Sequence, residues 1–129
     1  VEETFKKYGS ININVFVIEQ APFHYFTPSQ AYLRSYDIDK NYFKNRLNSY
    51  SIKYDEFQNN QNFSRSILSS NASKYENINF LGISDIFCLN IVKVCKIGDH
   101  DKSFYRDKNH LNQYGADLLK ERILENIDK

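Results

Sequence analysis

Tryptophan and methionine are both missing from this chain, so its interior must be filled by ten tyrosines, ten phenylalanines and the aliphatic residues. Most of the aromatics are therefore expected in the core rather than along a sugar groove. A surplus of one charge sign is missing too: the formal net charge is +1, and the lysines are scattered among Asp, Glu and Asn. That pattern reads as a solvated surface. Without clustered Lys and Arg, binding to a nucleic-acid backbone is excluded as the main task, because such binding depends on neutralising phosphates. No apolar run reaches membrane-spanning length, and the longest, such as "VFVI" at 15–18, suit buried strands. Repeats, low-complexity tracts and linker-like stretches are absent as well. No basic-then-apolar stretch opens the chain; it starts on "VEETFKKYGS", which reads as the tail of a helix. The expectation is one soluble domain segment, residues 1–129, belonging to something longer. With 41% apolar residues it can form a real core.

Only two cysteines occur, Cys88 and Cys95, enclosing "LNIVKV". Zinc is disfavoured, since the spacing is longer than a knuckle and no second pair exists. At about 3.3 Å per residue an extended strand would hold their Cα atoms on the order of 20 Å apart. A disulfide needs roughly 4.4 to 6.8 Å, so the segment would have to double back. Two buried free thiols and a small disulfide-closed loop both fit the spacing. The bonded form would place the domain outside the cytoplasm.

Several elements can be read along the chain. "ININVFVIEQAP" is β-rich and stops at Pro22, and its continuous run Val15 to Ile18 suits a parallel strand covered on both faces. After the loop "APFHYFTP", a helix opens with Thr27 as N-cap, Pro28 in the first position and Gln30 completing a capping box. Residues 39–49 suit a further helical piece. A longer helix is expected through "YDEFQNNQNFSRSILSSNAS", with Phe57, Phe63, Ile67 and Leu68 on one face. A second strand is expected at Ile78 to Leu81, then a loop through the cysteines. The final helix should run from Asn112 to about Ile127, burying Leu118, Leu119, Ile123 and Leu124. Strands separated by helices point to an α/β layered fold with a parallel sheet. The sequons at Asn62 and Asn71 are weak signals.

The chemistry concentrates in "SFYRDKNHLNQYGADLLKERI", residues 103–123. Asp107 precedes His110 by three positions, and Asn112 is the natural N-cap of the helix that follows. In a turn before a helix, the carboxylate can accept a hydrogen bond from one imidazole nitrogen. The other nitrogen's lone pair then faces outward as a general base. A D-x-x-H of this kind is common, however, and taken by itself it is better accounted for by a polar capping role or a plain surface position.

The surrounding residues carry more. "FYRDKNHLNQYGADLL" resembles the last motif of the SGNH hydrolase superfamily, an Asp-x-x-His shortly before the terminal helix. More narrowly, it is similar to the SGNH domain fused to membrane acyltransferase-3 proteins, where an aromatic-Tyr-x-Asp-x-x-His-Leu-Ser-x-x-Gly-Ala pattern occurs. Tyr105, Asp107, His110, Leu111, Gly115 and Ala116 match it, and Asn112 replaces the family's Ser with another N-capping residue. The paired cysteines upstream, and the strand ending near a Pro, are similar too. The resemblance is strong over 86–120, loose over 11–34 and faint between.

The resemblance implies a three-layer, flavodoxin-like α/β fold on the extracytoplasmic side of a bacterial membrane. It implies a candidate disulfide between Cys88 and Cys95, no cofactor and no metal. The implied function is transfer of an acetyl or other acyl group, delivered by the parent's membrane domain. The group would pass through a serine ester to a sugar of a surface polysaccharide, lipopolysaccharide or peptidoglycan. His110 would be the base and Asp107 its positioning acid. General-base help of this sort typically gives about 100- to 10,000-fold. The family's nucleophile lies in a Gly-Asp-Ser block after the first strand, and no Gly-Asp-Ser occurs here. "GDH" at 98–100 has His in the serine's place, and "YGS" at 8–10 precedes a strand instead of following one. The expectation is therefore a fold truncated on its amino-terminal side, nearly inert alone. Its open sheet edge should pair with the missing segment or dimerise.

Two rivals remain open from the sequence. Asp99, His100, Asp101, Asp107 and His110 crowd a short stretch that could bind Zn or Mn. Alternatively the chain is a non-catalytic glycan-binding module, with Tyr25, Phe26 and Tyr32 exposed at a pocket mouth. His24, in the loop after the first strand, reads as surface polarity, with a substrate contact as the alternative.

Overall fold

The two apolar runs separated by helical sequence pair as a parallel sheet. In the computed structural model, which describes residues 1–127, strand β1 (Val15–Ile18) lies beside β3 (Ile78–Leu81), in the register Val15↔Ile78 to Ile18↔Leu81. Parallel neighbours need a long crossover. Here it consists of α2 (Pro28–Ser35), α3 (Lys40–Tyr50), a short strand β2 (Ile52–Lys53) and the long α4 (Tyr54–Ala72). Ahead of β1 stands α1 (Glu2–Gly9), so the opening segment is helical as expected and "YGS" is only its end. The expected α/β class with a parallel sheet is the observed one. No helix among the described residues is long and apolar enough to cross a membrane.

Val15 and Val17 of β1, with Ile78 and Phe80 of β3, turn toward Phe5 of α1 and toward Leu68 and Ala72 of α4. The opposite face corrects the expectation of a strand covered on both sides: Ile18 is 41% exposed and Phe16 is half-buried. Each strand has a single neighbour among the described residues, so β1 keeps one open edge. Within α4 the buried positions are Phe57, Gln61 and Ala72. Phe63 does not join them and is 75% exposed, because a position six residues past Phe57 falls on the far side of a 3.6-residue turn.

The larger core lies beyond the carboxyl ends of the parallel strands, around Phe57, Phe87, Ile97, Phe104 and Tyr105. The cysteine segment helps to build it and is not the loop expected from sequence. A one-turn α5 (Ser84–Phe87) runs into β4 (Cys88–Leu89), which pairs antiparallel with β5 (Val94–Cys95); β5 also pairs with β2. The register places Cys88 opposite Cys95, and the two are bonded. The chain doubles back through residues 90–93, as closure of a disulfide across so short a segment demands.

A buried carboxylate ties the parallel strands to α4. Glu19 follows β1 directly and is 4% exposed. Its Oε2 accepts hydrogen bonds from the backbone N–H of Ile83 (2.8 Å) and Ser84 (3.0 Å), just past β3. Its Oε1 takes both Nε (2.7 Å) and Nη2 of Arg65 on α4. Arg65 Nη1 in turn donates to Gln58 Oε1 at 2.6 Å. Every lone-pair direction of a buried charge is thus used, which is the condition for its being tolerated.

The final helical region is two helices, α6 (Gln113–Asp117) and α7 (Lys120–Ile127), and not one continuous element. Leu119 at the junction is buried and Leu118 and Ile123 pack partly against the core, whereas Leu124 is 47% exposed, contrary to the expected stripe. Asn112 caps α6 as expected, its Oδ1 accepting from Gly115 N at 2.9 Å. Its Nδ2 donates to Ser103 O (2.8 Å) and Tyr105 O (3.3 Å), so one side chain fastens the helix to the segment before it. Gly115 is required by contact: a Cβ there would lie 2.0 Å from the carbonyl oxygen of Phe104.

Two stability predictions follow from these joints. Gly115→Ala should lower stability by about 1–3 kcal/mol through overpacking against backbone, read as a reduced urea midpoint at constant slope. Glu19→Ala should cost about 2–3 kcal/mol by orphaning Arg65 and two amides. Glu19→Gln should cost less, since its carbonyl oxygen still serves the Ile83 and Ser84 N–H groups. Equal losses in both variants would contradict this role of the backbone bonds.

Candidate active site

The segment between Phe104 and Asn112 is a tight loop, closed at its base by a bridge between Tyr105 and Leu111 and by Arg106 N donating to His110 O at 2.8 Å. Tyr105 is fully buried beneath it. At the tip, Asp107 folds back on its own backbone: its Oδ1 accepts from Asn109 N at 3.0 Å and His110 N at 2.9 Å. Asp side chains commonly stabilise turns this way. The same carboxylate meets His110 Nδ1, at 3.0 Å from Oδ1 and 2.9 Å from Oδ2. The two residues singled out in the sequence are therefore brought together.

These contacts set the protonation chemistry. Hydrogen bonds from the Asn109 and then the His110 amide, ahead of the imidazole's own contribution, hold the Asp107 carboxyl down at about 2. An ionised carboxylate only accepts, so Nδ1 of His110 must carry the hydrogen. In the neutral ring the lone pair is then on Nε2. The His110 side chain is 63% exposed, and among the described residues Nε2 has no hydrogen-bond partner. The arrangement leaves a lone pair turned outward on an imidazole whose tautomer is held by a charge, the geometry a general base requires.

The nucleophile is not beside it. The chain contains no Gly-Asp-Ser, and no serine hydroxyl among the described residues is within hydrogen-bond reach of His110. "GDH" at 98–100 proves to be a structural turn. Asp99 N donates to Lys102 O at 2.8 Å, and Asp99 Oδ1 lies 3.3 Å from Lys96 Nζ. His100 packs on Phe43. The candidate metal cluster is not assembled either: among the described residues no three His, Cys, Asp or Glu side chains are placed to hold an ion.

His24 corrects its reading as surface polarity, being 1% exposed. Its Nδ1 accepts from Ile52 N at 3.2 Å, and its ring meets Tyr105 edge-on with centroids 4.6 Å apart. Burial pushes its pKa down to about 4, so it is neutral near pH 7. Its backbone N–H donates to Lys108 O at 2.7 Å, which ties the loop after β1 to the loop of Asp107 and His110. Of the aromatics expected at a pocket mouth, Tyr25 is 55% exposed, while Phe26 and Tyr32 are partly buried against the core. Of the two buried polar residues beside this loop, His24 had substrate contact as its alternative reading, and Gln61 had none. The available signal was topological: segments leaving the carboxyl ends of parallel strands are where α/β folds place ligands.

Comparisons with known proteins agree with this geometry. The model of the SGNH domain (fused to AT3 domains) matches residues 1–125. Searches of curated proteins and of solved structures found no match. With nearly its whole length matched, and with the Asp–His pair of the last motif in hydrogen-bond contact, the chain belongs to the family of SGNH domains fused to AT3 domains, which is hydrolase- and acyltransferase-like.

Proposed function

We propose that the chain supplies the acid–base half of an O-acyltransferase or esterase site. His110 takes the proton from a serine hydroxyl contributed from outside these 129 residues. Asp107 keeps the imidazole in the Nδ1–H tautomer and stabilises the imidazolium as it forms. The serine oxygen attacks the donor's acyl carbonyl, the imidazolium gives its proton to the departing donor group, and an acyl-serine results. His110 then takes the proton of the acceptor hydroxyl as that oxygen attacks the acyl-serine, and returns it to the released serine oxygen. The observation that carries the reading is the doubly anchored carboxylate with an unobstructed Nε2 opposite it.

Family membership supports a membrane acyl-donor domain as the partner, with an acetyl or other acyl group as cargo and a sugar of a bacterial surface polysaccharide as acceptor. The Cys88–Cys95 bond supports an extracytoplasmic position, where disulfides persist. The open edge of β1 supports addition of a further strand there, from the segment bearing the serine or from a second copy. A serine carried after such a strand would emerge at the end of the sheet from which Glu19 and the loop of His24 depart.

In the intact protein, His110→Ala should reduce acyl transfer by about 100- to 10,000-fold, with amide proton shifts of the core unchanged. Asp107→Asn should reduce it comparably, since the amide can present the wrong hydrogen-bonding edge to Nδ1. Transfer at the wild-type rate in His110→Ala would end this mechanism.

The pH dependence has a defined form. Asp107 is depressed to about 2, so its ionic contacts are complete above the ordinary carboxylate range and lost only as pH falls through about 2. The Asp107 carboxyl should therefore show no protonation step between pH 7 and pH 4, read from its side-chain carbon shift; a step in that range would contradict its anchoring by the Asn109 and His110 amides.

A further inference from the structure

Beside the acid–base pair lies an open cleft of about 510 Å³, bounded by the segment after β1, the middle of α4 and the tip of the Asp107–His110 loop. Its walls include Gln20, His24, Asn60, Gln61, Lys108 and Asn109. Lys108 and Asn109 are the two residues between Asp107 and His110, so the cleft borders the loop that carries the imidazole. We propose that this cleft is the acceptor subsite for a sugar unit, and that Gln61 is a specificity-determining residue reading the sugar's hydroxyls. The inference rests on the acyl-transfer reading, which makes the bound sugar an acceptor instead of a bystander.

Two buried polar groups point to a ligand. Gln61 is 7% exposed, and what it keeps open is at the cleft, where no protein group among the described residues engages its carboxamide. That carboxamide is free to exchange hydrogen bonds with an occupant. His24, 1% exposed, also lines the cleft. Its Nδ1 accepts from Ile52, which puts the hydrogen on Nε2, and Nε2 is without a partner as well.

The lining defines the class of ligand. Four carboxamides contribute, from Gln20, Asn60, Gln61 and Asn109, with one ammonium and no carboxylate. Each carboxamide offers donors and an acceptor in one plane, which suits vicinal hydroxyls that both give and take hydrogen bonds. Phe23 and Tyr25 stand edge to face on the same wall, with centroids 5.5 Å apart, and supply apolar surface for the C–H face of a pyranose ring. A fatty acyl chain would leave these amides unsatisfied, and one lysine is a thin counter-charge for a phosphate.

The test is a titration of the isotope-labelled 129-residue chain with the methyl glycosides of glucose, N-acetylglucosamine and glucuronic acid, followed by NMR. At least one should shift the Gln61 side-chain amide and the Lys108 and Asn109 backbone amides. Gln61→Leu should weaken that binding about tenfold, the equivalent of one good hydrogen bond. Asn60→Ala, at the exposed rim, should weaken it less and guards against a folding defect in Gln61→Leu. In the intact protein, Gln61→Leu should raise the acceptor KM with little change in hydrolysis of p-nitrophenyl acetate. No shift at these residues with any of the three glycosides, or full-strength binding by both variants, would overturn the proposal. Binding that depends on Gln61 together with undiminished transfer in His110→Ala would instead keep a sugar site and remove its role as acceptor site. The failure of the two readings is thus distinguishable.

Discussion

The carboxylate of Glu19 is the joint from which the functional end of this molecule hangs. It sits at the exit of β1, holds two amides at the exit of β3 and binds Arg65 in the middle of α4. The parallel pair has only two strands among the described residues, so backbone bonding alone does little to fix where the departing segments go. A buried charge with every oxygen engaged fixes it, because any shift of α4 or of either strand end would leave a charge unpaired in the interior. Both walls of the cleft, the segment beginning at Gln20 and the middle turns of α4, are referenced to this one group.

The Asp107–His110 loop is a different kind of device. Its internal geometry is local: an aspartate bonds the amides two and three residues ahead, and the imidazole of the third swings onto the same carboxylate. Its placement is not local. His24 N–H on Lys108 O, Tyr105 packed beneath, and Asn112 bonded to both Ser103 and Tyr105 seat the loop at the carboxyl ends of the strands. Local bonds set which nitrogen is free, and long-range bonds set what that nitrogen faces. Backbone amides, being fixed, hold the Asp107 charge with little reorganisation, which is how this half-buried acid stays ionised to low pH.

Several features resisted reading for reasons that can be named. The cysteine segment has only two-residue strands, too short for an alternating pattern, and β2, the partner of β5, lies 41 or more residues upstream of it. Phe63 was placed on the inner face of α4 by hydrophobicity, whereas the inner face includes the polar Gln61 and Arg65, which serve the cleft and Glu19. His24 looked like surface because its loop is polar and aromatic by turns. Its burial depends on Ile52 and Tyr105, which are distant in sequence.

By itself the amino-acid sequence determined what short-range physics decides. The capping box at Thr27–Gln30, the cap at Asn112, the apolar runs that become the two strands and the Asp–His turn each depend on residues within a few positions of one another. The α/β class followed from the order of those pieces. Only the tertiary structure decided that Cys88 and Cys95 are bonded, that a second small sheet braces the core, and that His24 and Gln61 lie buried beside the Asp107–His110 loop, with His24 Nε2 left without a partner. Burial and pairing are sums over contacts between distant segments, and no window of the chain contains both partners.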